Sequence, residues 1–244
     1  MKVAIANGKG GTGKTSLAAA FAVLAGPQIV VADCDVDAAD MHLLLAPDFA
    51  DGEDFHGGEL AVIDQQACNG CGGCAEVCRY GAIREVNGNF TVDESDNSGK
   101  LVAKVKHEAR TAAEQEDRKL VLVDGSPGIG CPVVSSLSGA DLMVLVTEPT
   151  VAGLHDLKRV HELVERFGIP CGCIVNKCDL NADVLAQLRR FRTKTGIADL
   201  AELPYDEQFT AAVTAGRTIV EQDSALKGQV SDCWRAITTL VAAN

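Results

Sequence analysis

The sequence predicts an α/β fold: a doubly wound, mostly parallel sheet with helices on both faces, interrupted by one small inserted module. Three observations carry this. Short apolar runs at 3–6, 29–32, 120–123, 142–146 and 173–175 alternate with helical patterns at 14–25, 101–116, 153–167, 181–194 and 224–242. Runs of that length suit strands buried on both faces, and helix-length spacings between them require parallel crossovers. A glycine-rich stretch occupies the first strand-to-helix turn, at the end of the sheet where ligands bind in such folds. Between 46 and 99 the alternation breaks, and eleven acids meet only two bases among nine glycines, the mark of an insertion. The expected division is a core of 1–49 and 100–244 with a module at 50–99.

Composition narrows the classes of function. Nearly half of the 244 residues are hydrophobic and about a quarter charged, as in a globular chain. No apolar run approaches the ~20 residues of a membrane span, and the first residues lead straight into the strand and glycine pattern. A net charge of −12 repels phosphate backbones and anionic lipid, so neither nucleic acid nor a stable membrane anchor is expected. The final fourteen residues carry one base, which reads as a packed terminal helix rather than a basic amphipathic anchor. With no leader and with clustered cysteines, the expected location is a reducing cytoplasm.

In chain order, the first strand runs into Gly8-Lys9-Gly10-Gly11-Thr12-Gly13-Lys14-Thr15, followed by Ser16, which satisfies the phosphate-loop pattern G-x-x-x-x-G-K-[ST] in its required context. Glycines there let consecutive backbone N–H groups converge on phosphate oxygens at a helix N-terminus. Lys14 would neutralise the β and γ phosphates, and the Thr15 hydroxyl would ligate Mg²⁺. The second strand ends in Asp33-Cys34-Asp35-Val36-Asp37, of which at least one carboxylate is placed to order an attacking water. The next strand ends in Asp124, expected to hold Mg²⁺ through water, followed by Gly125-Ser126-Pro127-Gly128-Ile129-Gly130-Cys131-Pro132, a segment suited to sensing the γ-phosphate.

Cys68-x2-Cys71-x2-Cys74-x3-Cys78 has the spacing of bacterial ferredoxin ligands, and a [4Fe–4S] cluster is favoured over zinc, which more often takes separated pairs or histidines. His56 is the only histidine nearby. Arg79 stands where a proline usually follows the last cysteine, and there is no second cysteine run. The fourth ligand therefore stays open, with Cys78 favoured and Cys131 as the alternative or as a second, intersubunit site. The other cysteines read as small buried hydrophobes.

These motifs resemble the MinD/Mrp branch of P-loop ATPases, in the subgroup that carries an inserted ferredoxin domain. The resemblance rests on the lysine-rich phosphate loop, on Asp33-Cys34-Asp35-Val36-Asp37-Ala38, on the segment after Asp124, on Thr147-Glu148-Pro149-Thr150-Val151 and on Asn176-Lys177-Cys178-Asp179. It implies an Mg²⁺-dependent ATPase acting as a homodimer or as a heterodimer with a related ATPase. In it Lys9 reaches the partner's nucleotide, Asp35 positions water, and Asn176 reads adenine beneath the Pro204-Tyr205-Asp206 loop. It further implies iron–sulfur cluster assembly or transfer to an acceptor or redox protein. The alternatives are an ATP-gated electron donor similar to the nitrogenase iron protein, and a non-enzymatic scaffold.

Overall fold

The computed structural model describes residues 1–8, 10–49, 52, 54–55, 61–78, 82–92 and 98–243. Lys9, His56 and Arg79 lie outside the described residues, as does part of the 50–99 span.

In order, the strands are β1 (Lys2–Ala6), β2 (Ile29–Cys34), β3 (Ile83–Val86), β4 (Asn89–Val92), β5 (Leu120–Gly125), β6 (Leu142–Thr147), β7 (Cys171–Val175) and β8 (Ala198–Glu202). The helices are α1 (Lys14–Ala25), α2 (His42–Leu45), α3 (Gly73–Val77), α4 (Ser98–Gln115), α5 (Cys131–Leu137), α6 (Val151–Arg166), α7 (Ala182–Thr195), α8 (Glu207–Thr214) and α9 (Leu226–Ala242). Six strands form one sheet in the order β2-β5-β1-β6-β7-β8, every pairing parallel. All five sequence-predicted strands and all five predicted helices are present, within a few residues of their expected ends. Among the described residues, α2, α3, α5, α8, β8 and the antiparallel pair β3–β4 were not predicted.

The side-chain alternation of the strands divides the core in two. Val3, Ile5, Leu120, Leu122, Leu142, Val144, Val146 and Ile174 face α1 and α9, where Phe21 stacks on Trp234 at 5.5 Å. Ala4, Ala6, Val121, Val123, Met143, Leu145, Cys173 and Val175 face α4, α5, α6 and α7. Both faces are dry, so each fully buried large side chain such as Phe21 or Leu122 contributes about 1.5–3 kcal/mol. The terminal helix α9 buries Leu226, Val230, Cys233, Ile237 and Val241 against this layer, as its scarcity of bases predicts. Among the described residues no helix is long and apolar enough to cross a membrane.

The helix ends are set locally. Asn181 caps α7 by accepting from the Asp183 and Val184 amides, and Gly196 ends it in the left-handed conformation. Thr150 caps α6 by accepting from the Gly153 amide.

Between β2 and α4, the described residues form the cysteine loop, α3 and the β3–β4 hairpin, a two-stranded sheet separate from the main one. Gln65 ties the loop to the hairpin through a 2.8 Å bond from Nε2 to the Phe90 carbonyl. The helix α4 starts at Ser98, so the expected boundary at residue 100 falls inside it.

Candidate functional site

The carboxyl ends of β1, β2 and β5 lie level, with Ile5 opposite Asp124 and Asp124 opposite Asp33 in the parallel register. The chain leaves β1 through the glycine-rich loop and enters α1 at Lys14. Gly13 closes that loop at φ 87°, a conformation that favours glycine, and a Cβ there would meet the Asn176 amide nitrogen at 2.5 Å.

Four predicted residues converge here. Lys14 Nζ donates to Asp124 Oδ1 at 2.6 Å and stands 3.5 Å from Asp35 Oδ2. The Thr15 hydroxyl donates to Asp124 Oδ2 at 2.7 Å. Asp124, Lys14 and Asp35 are all buried. Burial pushes the Asp124 carboxyl up to about 6, with the Lys14 ammonium and the Thr15 hydroxyl pulling against it. Asp35 Oδ1 is buried with no hydrogen-bond partner among the described residues. Asp33 plays a different part: its carboxylate accepts from the Asp35 and Met41 amides and shapes the turn that presents Asp35. Burial raises its pKa first, and those two bonds oppose the rise. Asp37 is exposed.

The segment after Asp124 is tied to neighbouring strand ends. Ser126 Oγ donates to the Cys34 carbonyl at 2.6 Å, and the Gly128 amide donates to the Asn7 carbonyl at 3.0 Å. Asn7 Nδ2 in turn donates to Thr12 Oγ1 at 2.7 Å, bracing the glycine-rich loop.

Asn176 sits on the other flank. Its amide nitrogen donates to the Thr12 carbonyl at 2.9 Å, and its Oδ1 accepts from the Lys177 amide at 3.0 Å. One amide hydrogen and one lone pair of Asn176 have no partner among the described residues. Lys177 Nζ donates to the Gly11 carbonyl and to Glu148 Oε2, both at 3.1 Å. Beside this clamp lies a cavity of about 450 Å³ lined by Gly11, Gly13, Ser16, Asn176, Tyr205 and Phe209, with Thr210 and Val213 of α8 completing the wall. Asp206 caps α8 by accepting from the Gln208 amide at 2.8 Å, and Asp179 holds the loop through the Tyr205 amide at 2.7 Å. Pro204 begins that loop, two positions after the end of β8. Sequence reasoning missed Phe209, Thr210 and Val213, because α8 carries no motif and is only eight residues long.

The cysteines separate into two groups. Cys34, Cys173 and Cys233 are buried, and burial pushes their thiols up to about 12; Cys171 is pushed to about 11. They carry no thiolate at neutral pH and behave as packing residues. Cys68, Cys74 and Cys78 are half-buried and Cys71 is exposed, all with free thiols. Four thiols match a cubane's ligand set in number and chemistry. Among the described residues, however, no three His, Cys, Asp or Glu side chains are gathered as a metal-binding group. Cys131 opens α5, against Gly99.

A parallel α/β sheet with a glycine-rich loop leading into a lysine, and buried carboxylates at adjoining strand ends, defines a nucleotide-binding class. Comparison with known proteins narrows it: residues 3–219 match the CobQ/CobB/MinD/ParA nucleotide binding domain, and the chain belongs to that family. It is 30% identical to the uncharacterized protein MJ0578 of Methanocaldococcus jannaschii, over 74% of this chain and 79% of that one. The uncharacterized ATP-binding protein MJ0547 of the same organism is 25% identical, over 89% of this chain and 79% of its own length. The fold is also that of the septum site-determining protein MinD from Pyrococcus horikoshii, solved with Mg-ADP: TM-score 0.66 and 19% identity, covering 100% of this chain and 97% of that one.

Proposed function

We propose that this chain binds Mg-ATP and hydrolyses it to ADP and phosphate, acting as a dimer, and that the nucleotide state governs a ferredoxin-like [4Fe–4S] module at 50–99 used to assemble or hand on iron–sulfur clusters. The observation that carries the ATPase reading is the group of buried Lys14, Asp35 and Asp124 with half-buried Thr15, beside the cavity under Tyr205.

The triphosphate lies along residues 8–16, cradled by backbone amides at the start of α1, with Lys14 turned to the β and γ oxygens. The Thr15 hydroxyl and, through water, Asp124 would hold Mg²⁺, which would supply positive charge against the phosphates. The base enters the cavity lined by Tyr205 and Phe209, and the remaining hydrogen-bonding groups of Asn176 read its edge. Asp35 Oδ1, buried and unpartnered, accepts a hydrogen bond from the attacking water and aligns it. Lys9 completes the charge around the γ-phosphate of the partner subunit, making hydrolysis depend on association.

The module reading is supported by four free thiols within eleven residues and by the exposure of Cys71, which leaves a cluster open to an acceptor. Metal binding would draw the thiols together, as small metallo-modules commonly fold around their ions. The ATPase chemistry needs none of them.

The test joins both halves. Anaerobically purified protein is assayed for iron, sulfide and zinc, and for phosphate release with ATP. The expected result is about four irons and four sulfides per cluster, and an Asp35→Asn variant that binds nucleotide but hydrolyses it about a hundredfold more slowly. Zinc without sulfide would refute the cluster, and unchanged hydrolysis in Asp35→Asn would refute the water-positioning role.

A further inference from the structure

Residues 176–179, Asn-Lys-Cys-Asp, follow β7 and stand between the glycine-rich loop and the 204–206 loop beside the cavity. Their backbone is pinned on two sides. The Asn176 amide donates to the Thr147 carbonyl at the end of β6, and the Cys178 amide donates to the Leu203 carbonyl just past β8, both at 2.8 Å. Lys177 takes a φ of 52°, a conformation that a long side chain adopts only where its surroundings over-determine it. Its ammonium is engaged within the protein, on the Gly11 carbonyl and on Glu148.

The carboxylate of Asp179 has two chemical uses open to it. Aimed at a base, its two oxygens would accept from the N1–H and the N2 amino group of guanine and so select that base. Aimed at the chain, it accepts from a backbone amide. The geometry is the second: Oδ1 accepts from the Tyr205 amide at 2.7 Å, and Asp179 is not among the described residues that line the cavity. The one carboxylate among those lining residues is Asp206. Its Oδ1 already accepts from the Gln208 amide, which leaves a single oxygen where guanine calls for two.

Asn176 then meets the base edge with one amide hydrogen and one lone pair that lack partners among the described residues. A donor beside an acceptor matches N7 and the N6 amino group of adenine. Guanine puts O6 where that amino group would be, so two acceptors would face each other. This discrimination needs the base held in place, and the exposed Tyr205 stands at the rim of the cavity. Three bonds in succession hold 203–205 alongside 175–179: the Leu203 amide to the Val175 carbonyl, the Cys178 amide to the Leu203 carbonyl, and the Tyr205 amide to Asp179. Only the last depends on a side chain, and it is the one at Tyr205 itself.

We propose that Asp179 is a positioning residue: by one backbone bond it holds Tyr205 and the 204–206 loop over the base, leaves Asn176 to read the edge, and so makes the site select adenine against guanine. The proposal rests on the nucleotide reading above. Asp179 touches no base; it acts through the loop.

Competition of Mg-ATP, Mg-GTP and Mg-tripolyphosphate against a fluorescent ATP analogue, on the full chain, tests this. The wild type is expected to bind ATP about ten- to a hundredfold more tightly than GTP. In Asp179→Ala the dissociation constant for ATP rises about five- to tenfold, while that for tripolyphosphate, which has no base, stays within about twofold. Asp179→Asn keeps a carbonyl oxygen for the Tyr205 amide, so its ATP affinity and its preference over GTP stay within about twofold of wild type. A carboxylate that read the base would behave otherwise, since an amide in its place turns one acceptor into a donor. Asp179→Glu, which keeps the charge but displaces the acceptor, replaces Asp179→Ala should that variant fail to fold. Loss of ATP affinity in Asp179→Asn, unchanged ATP affinity in Asp179→Ala, an equal loss for tripolyphosphate, or GTP bound as tightly as ATP by the wild type would overturn the proposal alone. A wild type that binds neither nucleotide would instead overturn the reading of the site, and this proposal with it.

Discussion

Lys14 illustrates how much depends on single side chains here. Its ammonium is bonded to Asp124 and adjacent to Asp35, all three buried, so removing it leaves two carboxylates without their counter-charge as well as no ligand for phosphate. Lys14→Ala is expected to abolish nucleotide binding, whereas Lys9→Ala leaves binding nearly intact and loses hydrolysis, as the proposed roles of Lys14 within its own subunit and of Lys9 on the partner's nucleotide require. Fluorescent-nucleotide titration alongside phosphate release separates the two; equal loss of binding in both variants would refute the trans assignment. The convergence of Lys14, Thr15, Asp35 and Asp124 was legible in the sequence, since a phosphate loop and acids at buried strand ends are local patterns. The bond of Asp179 was not. An acid just past a strand end reads as one more ligand for the nucleotide, and nothing linear reveals that its carboxylate is taken by the Tyr205 amide, 26 residues on.

At the scale of elements, β8 and α7 are joined by charge rather than by apolar packing alone. Glu202 accepts from Arg189 and Arg192, and Arg192 also reaches Asp199. The Arg189 hydrogen bond, foremost, holds the Glu202 carboxyl below its ordinary value. A depressed carboxylate stabilises the fold above its unfolded pKa, near 4.5, and loses that contribution as pH falls through the folded value. Glu202→Gln is therefore expected to cost about 1–3 kcal/mol at pH 7, with a narrower gap from wild type at pH 3. Urea denaturation at the two pH values measures it, and a gap that persists in acid would assign the cost to packing instead. The same charges explain why β8 escaped prediction. Ala198–Glu202 is an edge strand with polar residues among small apolar ones, and it lacks the continuous apolar run that revealed the strands buried on both faces. The short helix α5 was hidden for another reason: it opens with Cys131 and Pro132 after a glycine-rich stretch that reads as loop.

For the molecule as a whole, every residue of the nucleotide site lies outside 50–97, and the described part of that span forms its own two-stranded sheet. Replacing 50–97 by a short linker, with Ser98 and Gly99 retained to keep α4 whole, is expected to leave a folded chain that binds ATP with little change in affinity. Circular dichroism and nucleotide titration check this, and a shortened chain that cannot fold would make the span part of the core. The layered architecture could be foreseen because alternating strands and helices leave few topologies. The chemistry proposed for the cysteine span rests on spacing alone, because the arrangement of such thiols is set by whatever they bind.

The short bond between Lys14 and Asp124 has a kinetic side. A triphosphate that recruits Lys14 must take it from a carboxylate tethered in the same molecule, so Asp124 behaves as an intramolecular competitor whose local concentration no dilution lowers. Magnesium drawn to Asp124 would relieve that competition by claiming the carboxylate for itself. On the proposed reading, nucleotide and metal would enter as a cooperative pair, each making room for the other, and the apparent affinity for ATP would become a reading of the magnesium concentration around the protein.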